Sequence, residues 1–455
     1  MSAPTAPDAP NAPAGQGRWP RVAQEVADDL AVDAAARDRA GKPPFDEAAR
    51  LREAGLLAFL TPPGPQGRGA DWLTACAVVR QIAAADSSVG ELLAHHYVSG
   101  WAPRFFGGPR TAGTLEARAA AEHWLWGGAT EPAEAHGRSP GRLTLTPARG
   151  GYVLNGRRAL AAGASVADRF VLAAPRADTG ETLIAVVDPA HPGVSAEPAH
   201  DRLGQRLTGA GTLGMENVPV AAAHILGLVP RDEHAISPFT ALAPLALRLM
   251  LTQVGLGNAE GALAEARDAS LASPHGGPVA APGTGGHLPV YADGYADGYG
   301  HGHRDDGYGY GGSDRYDVGP AADDPYLLLA YGELATSAHT AGAVVARASE
   351  ALAQGLLRGA ALDIDERAEI AVLVSAAEAV TAQAALRITT RVLELTARAD
   401  DTATARTEGT GQPPGFDRFW RNARVLTALD SPSRRLRAIG DHYLNGTPPP
   451  LTLRA

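Results

Sequence analysis

The sequence predicts an α+β protein in three parts: an N-terminal helical domain, a central antiparallel β-domain and a C-terminal four-helix bundle. Three observations predict it. Apolar residues recur every three or four positions from Val22 to about Ala121, the period of an amphipathic helix. From about Glu122 to Gly227 the chain breaks into short β-rich runs bounded by Gly, Pro and Asp, the texture of strands. From about Ile236 long Ala/Leu-rich segments return, and helices with small residues on several faces pack closely, as in a bundle.

In chain order, "RVAQEVADDLAVDAAARDRAG" is a helical pattern that closes on Gly41, and "FDEAARLREAGLLAFL" repeats it. A Pro/Gly loop, "TPPGPQGRG", leads into "WLTACAVVRQIAAADSSVGELLAHHYVSGW", one or two buried helices. In "RLTLTPARGGYVLNGRRAL" two strand-like runs flank "ARGG", a hairpin signal, and "NG" is expected to mark the next turn. "DRFVLAAPR", "ETLIAVVDP" and "GTLGMENVPV" follow at strand length. Helices are then expected in "ALAPLALRLMLTQVGLGNAEGALAEARDAS", from Pro325 to Gly355 and from Ile364 to Ala397.

The division that results is a tail over 1–20, helices over 21–121, the β-domain over 122–232, and the bundle over 233–270 with 325–455. Residues 271–324 interrupt the bundle. They are so rich in Gly, Tyr, His and Asp that no packed core can form from them, and a disordered insertion is expected. Within it "YADGYADG" is a tandem repeat. His301 and His303 with Asp305 and Asp306 could bind a divalent metal, but a solvated loop with incidental affinity is the favoured reading, and no metal site is assigned. The tail, "MSAPTAPDAPNAPAGQG", is Ala/Pro-rich and expected to be disordered; it shows neither the basic nor the apolar segment of a secretory signal.

Lys plus Arg number 40 against 50 Asp plus Glu, a formal charge of −10. A nucleic-acid binder normally shows a basic face, so nucleic acid is not an expected partner. No apolar run approaches the roughly 18 uninterrupted residues of a membrane helix, and a soluble, cytoplasmic protein is expected. The single cysteine, Cys76, excludes an intramolecular disulfide and, within the apolar "LTACAVV", reads as a buried thiol.

Several phrases carry a resemblance. "FDEAARLREAGLLAFLTPP", "AADSSVGELLAHHY", "WGGATEPAEA", "YVLNGRRALAAGASVADRFVLAA" and "GQRLTGAGTLGMENVPVAAAHILG", in this order, resemble the acyl-CoA dehydrogenase superfamily. The terminal "DRFWRNARVLTALDSPSRRLRAIGDHYLNGTPPP", together with "HHY" and "DDPYLLLAYGEL", is similar to the flavin-dependent monooxygenases of that superfamily, the branch of dibenzothiophene monooxygenase and the aminosugar nitrososynthases. The resemblance implies a homotetramer and a flavin between the β-domain and the C-terminal bundle. It further implies reduced FMN delivered by a separate flavin reductase, and a small-molecule substrate oxygenated through a flavin C4a-hydroperoxide. Such chemistry needs a dry pocket and one or two hydrogen-bond donors.

His96 matches the family's active-site histidine; a core histidine satisfied by a carbonyl is the other reading. His95 beside it points to a different helix face, so the two cannot share the task. Thr130 in "ATEP" and Thr208 in "RLTGAG" could hydrogen-bond the flavin or its ribityl chain, or equally be satisfied strand hydroxyls. Arg398 matches a position near the flavin phosphate, and Asn422 sits in the terminal helix beside the flavin. That helix packs Asp417, Arg418, Trp420, Arg421, Asn422 and Arg424 together. Its guanidinium groups suit phosphate or salt bridges between subunits.

The chain also departs from the branch. Gly128 stands where the branch has Asn, Ala162 where it has Ser, and Phe419, Leu426 and Leu429 where the terminal helix carries histidines. Arg267 in "EARDASL" lacks a second basic neighbour to grip phosphate. Three readings follow: an FMN-dependent monooxygenase; a relative on the same fold that has lost redox function; and an FAD-dependent acyl-CoA dehydrogenase. The third needs a carboxylate base, yet Leu247 fills one usual place for it and "ARADDTATART" lacks the pattern of the other.

Overall fold

The computed structural model describes residues 18–61, 69–131, 142–230, 232, 235–272, 324–404, 415–428 and 432–449, with side chains except at 397–404, 432 and 434. The expectations for the 1–17 part of the tail, for 273–323, for the side chain of Arg398 and for Leu429 fall outside the described residues.

Six helices come first: α1 (Arg18–Ala31), α2 (Ala34–Ala40), α3 (Phe45–Glu53), α4 (Trp72–Ala85), α5 (Ser87–Phe106) and α6 (Pro109–Glu122). The first begins inside the stretch expected to be tail. Trp19, Ala23, Ala27 and Leu30 are its buried residues, and the Trp19 ring packs 5.1 Å from that of Phe59, so burial of one indole extends the helix backwards. Caps define the next junction. Asp71 accepts from the Thr74 amide at 2.7 Å to open α4. Asp86 accepts from the amides of Ser88 and Val89 to open α5. Asp86 also faces Arg37, which lies 3.0 Å from it and 3.0 Å from Glu47.

Eight strands form two four-stranded sheets, β1-β4-β5-β8 and β2-β3-β7-β6. They are β1 (Trp126–Ala129), β2 (Thr144–Ala148), β3 (Gly151–Leu160), β4 (Arg169–Pro175), β5 (Thr182–Val187), β6 (Val194–Pro198), β7 (Gly211–Ala221) and β8 (Ile225–Val229). All pairs are antiparallel except β1 with β4. The β2–β3 hairpin turns at "ARGG", with Ala148 opposite Gly151. The "NG" signal is no turn. Asn155 and Gly156 lie inside β3 at a register shift against β7, and Asn155 Oδ1 accepts from the Asn217 amide at 2.8 Å. A glycine in a strand suits a bulge as well as a turn. Leu145, Leu154, Phe170, Leu172, Leu213 and Met215 fill the space between the sheets.

The C-terminal helices are α7 (Leu242–Ala272), α8 (Pro325–Arg358), α9 (Ile364–Thr404), α10 (Asp417–Thr427) and α11 (Pro432–Asn445). Over 364–396, α9 has the length and apolarity of a membrane span, but 56% of its most apolar window is buried against its neighbours, as in a core helix. The two helical regions share one apolar core, with Val79, Ile82 and Leu92 in the same cluster as Leu249, Val345 and Ile388. Glycines make the contact close. A Cβ on Gly257 would lie 2.2 Å from Arg80 O, and one on Gly261 would lie 1.9 Å from Ala84 O, so α7 meets α4 backbone to backbone.

Candidate active site

Helix α5 is buried along nearly its whole length, yet Ser87, Glu91 and His95 recur at four-residue intervals on one of its faces. That face meets the loop between β6 and β7. Gln205 of the loop is fully buried and donates through Nε2 to Ser87 Oγ at 2.8 Å. Glu91 is 2% exposed, and its Oε1 lies 4.0 Å from His95 Nε2. Among the described residues, neither Glu91 Oε2 nor His95 Nε2 has a hydrogen-bond partner, and Gln205 Oε1 and Ser165 Oγ are also buried without one.

Burial sets the charges here. It pushes the Glu91 carboxyl up to about 7 against the opposing pull of Arg202. It pushes His95 down to about 4, and the positive charge of Arg202 acts in the same direction. His95 is therefore a neutral imidazole at ordinary pH.

The surrounding frame is held by backbone. Gly163 N donates to Thr208 O at 2.8 Å and Ser165 N to Gly209 O at 3.3 Å, so the turn after β3 is tied to the loop before β7. Gly163 has φ of +76°, and a Cβ there would lie 3.4 Å from Gly127 Cα of β1 and 3.7 Å from Leu92 of α5. Three elements converge within a side chain's length of one another.

The residues singled out in the sequence take different places. His96 lies between two backbone groups. Its Nδ1 accepts from the Trp126 amide at 3.0 Å and its Nε2 lies 2.9 Å from Leu57 O, so Nε2 carries the proton and both nitrogens are committed to backbone. Burial lowers it to about 4, only partly offset by its bond to Leu57. A cavity of about 30 Å³ borders its ring. The imidazole with a nitrogen unbonded among the described residues is that of the neighbour, His95 Nε2, 4.0 Å from Glu91 Oε1.

Thr208 is fully buried, donates to Ala161 O at 2.9 Å and accepts from Arg202 at 3.1 Å, which leaves its hydroxyl no proton for a ligand. Asn422 Oδ1 accepts from the Gln205 amide at 2.7 Å, holding that loop residue at a φ of +53°. Ala162 is buried in the helical core. Thr130 is half-buried and makes no hydrogen bond among the described residues. Gly128 is required by packing: a Cβ there would lie 2.2 Å from Val171 O, so the branch's Asn does not fit this backbone.

The terminal helix α10 is a clasp. Arg421 pairs with Asp38 of α2 and Asp417, and donates to Leu203 O at 3.0 Å. Arg418 pairs with Glu265 of α7 and lies over the Phe419 ring at 4.0 Å. Arg267 pairs with its neighbour Asp268. Leu426 is half-buried against the core.

A larger cavity, about 830 Å³, lies elsewhere, between α7 and α8. Its walls are mostly apolar, and Arg80 within it is held by Glu260. It shares no residue with the α5 cluster.

Comparison with known proteins gives this geometry a context. The family described as acyl-CoA dehydrogenase, N-terminal domain, matches residues 20–110. Dibenzothiophene monooxygenase of Rhodococcus qingshengii is 30% identical over 436 residues, covering 94% of this chain and 93% of that protein. The chain belongs to the flavin-dependent monooxygenase branch of the acyl-CoA dehydrogenase superfamily. A probable FMNH2-dependent monooxygenase, SfnC of Pseudomonas putida, is 28% identical over 94% of this chain and 95% of its own length. FMN-bound TdsC from Paenibacillus sp. A11-2 superposes with a TM-score of 0.79 at 27% identity, over 96% of this chain and all of that one.

In this chain the α5 face holds buried polar atoms that have no hydrogen-bond partner among the described residues. Glu91, Arg202, Gln205 and Ser165 were not singled out by sequence reasoning. Glu91 did carry a signal, being a carboxylate in "SSVGELLAHH", a helix otherwise built of small and apolar residues up to His95.

Proposed function

We propose that the protein uses reduced FMN and O2 to oxygenate a small organic molecule at the seam between α5, the turn after β3 and the loop before β7. The observation that carries this is the concentration of four buried, unpaired polar atoms at that seam, on Glu91, His95, Ser165 and Gln205, in a chain of this family. Buried polar groups are ordinarily paired, so a cluster without partners marks a place for a ligand.

The residues present fit a flavin edge. Ser165 Oγ is orphaned, and the half-buried Thr130 hydroxyl is unbonded among the described residues; these two would hold its polar rim. Bound reduced FMN supplies the electron pair that activates O2. The chain's own groups do the rest. Leu92, Leu93 and Ala162 are buried beside the seam and exclude water. The neutral His95 Nε2 accepts a proton or donates one through its other tautomer. Glu91, poised near neutrality, holds or releases a proton at Oε2. His96 positions β1 against the loop after α3 without touching reactants.

The same reading makes the protein a cytoplasmic homotetramer served by a separate reductase, and Arg398 a phosphate contact from the neighbouring subunit. An anaerobic titration with reduced FMN, followed by ¹⁸O₂ and indole, tests it. Saturable binding and label in an organic product are expected. Failure to bind reduced FMN overturns it and favours the non-redox relative, which the apolar residues Gly128, Ala162 and Leu426 would then explain.

A further inference from the structure

We infer that the protein has a further small-molecule site, in the groove between α7 and α8, and that it takes an uncharged aliphatic alcohol. The site is separate from the α5 seam and does not rest on the oxygenase reading.

The groove exists because of what the two helices put into it. On α8 the lining residues Leu327, Tyr331, Ala338 and Gly342 lie on one face of the helix. Ala338 and Gly342 carry almost no side chain, which leaves open the space before Leu263 and Leu271 on α7. That space, about 830 Å³, falls within the roughly 300–1,000 Å³ of small-molecule sites.

Polar groups stand at its two ends. At one, the hydroxyls of Tyr331 and Ser270 lie 2.9 Å apart. Their shared bond uses one of the two protons, so the pair keeps a donor and lone pairs for a ligand hydroxyl. Burial pushes the Tyr331 phenol above its ordinary value, which holds its proton in place. At the other end Arg80 donates to Glu260 Oε2 at 2.7 Å and lies against Gly342, where a Cβ would come within 3.4 Å of the guanidinium. From Tyr331 to Gly342 the helix rises about 16 Å, at 1.5 Å per residue. The wall along that length is mostly aliphatic, and His339 at its rim turns Nδ1 back to Ala335 O of its own helix.

Charge decides the class of ligand. Arg80 is spent on Glu260 and Arg267 on Asp268, so each arginine in the lining has its carboxylate. A charged ligand would have to break one of these pairs to gain its own. A hydroxyl on an apolar chain meets the Tyr331–Ser270 pair, leaves both ion pairs intact and removes its methylenes from water.

Calorimetry on the full chain with 1-decanol, its methyl ether and decanoate tests this. One decanol per chain is expected, with the ether and decanoate each bound roughly tenfold more weakly. Tyr331→Phe should bring decanol and ether to within about twofold of each other. Ala338→Trp fills the groove from within, and Leu328→Glu charges its exposed lip; each should weaken decanol binding at least tenfold without changing thermal unfolding. Where Ala338→Trp unfolds the chain, Leu328→Glu, at an exposed position, decides. Decanol binding that survives Leu328→Glu and a folded Ala338→Trp places the alcohol elsewhere and overturns the inference. Tighter binding of decanoate overturns it in favour of an anion held by Arg267. No saturable binding also overturns it, and gives the groove to protein, a second copy of the chain or residues 273–323. Reduced FMN is titrated separately, so this inference and the oxygenase reading fail independently.

Discussion

The two bonds to the His96 ring make a prediction that separates scaffold from catalyst. The ring accepts from Trp126 N–H and donates to Leu57 O. His96→Gln keeps at most one of these in good geometry, and a buried group left unpaired costs about 1–3 kcal/mol. At pH 7.5 the variant should therefore be less stable by that amount. The pH dependence is more specific. Burial lowers His96 from 6.5 to about 4, so the unfolded chain binds this proton more tightly than the folded one. The contribution is complete above pH 6.5 and is lost as pH falls toward 4, about 3 kcal/mol in all at 1.4 kcal/mol per pH unit. His95 behaves alike and cancels in the comparison. Urea unfolding followed by tryptophan fluorescence from pH 7.5 to 4.5 should show wild type falling more steeply, so the gap to His96→Gln narrows by about 2–3 kcal/mol. Parallel curves would refute the buried neutral ring. Loss of oxygenation with unchanged stability would place the ring among the reactants.

Three further outcomes follow from contacts already described. Gly128→Asn, which restores the branch's amide, should destabilise by about 1–3 kcal/mol or more and not improve flavin binding, because its Cβ meets Val171 O; thermal unfolding with and without FMN checks it. Asn422→Ala should cost about 1–3 kcal/mol by orphaning the Gln205 amide. Hydrogen exchange at 201–209 should quicken, whereas a direct cofactor contact would lower FMN affinity and leave that exchange unchanged. Arg37→Met strips the cation from Glu47 and Asp86, both buried, and should cost about 3–5 kcal/mol in urea unfolding; a loss below 1 kcal/mol would mean the carboxylates find water.

The order of helix, strand and helix was legible because periodicity survives without tertiary context, and the terminal "DRFWRN" is indeed a helix that binds several elements at once. The choice between His95 and His96 was not legible. Adjacent residues on a helix point about 100° apart, and which direction is scaffold depends on what lies there, here Leu57 and Trp126. The intramolecular partners of Thr208 and Asn422 were hidden for a related reason. Their partners, Ala161 O and the Gln205 amide N–H, are backbone groups 47 and 217 residues away, and a main-chain partner leaves no mark in composition. Asn155-Gly156 misled because the dipeptide fits a bulge as well as a turn. Gly128 reads as a lost donor until the Val171 carbonyl beside it is seen.

The shared helical core has a consequence for synthesis. Arg80 of α4 reaches its partner Glu260 of α7 across 180 residues of chain, with the whole β region made in between. At about 5–20 residues per second a ribosome needs on the order of 10–40 s to cross that distance. Throughout that interval the Val78, Val79 and Ile82 side of α4 waits without the helix that covers it. The two sheets can close on their own interior meanwhile, but the α5 face cannot be fixed until α7 and α10 arrive. The α5 face, where we place the oxygenase chemistry, is thus among the last parts of the molecule to become native.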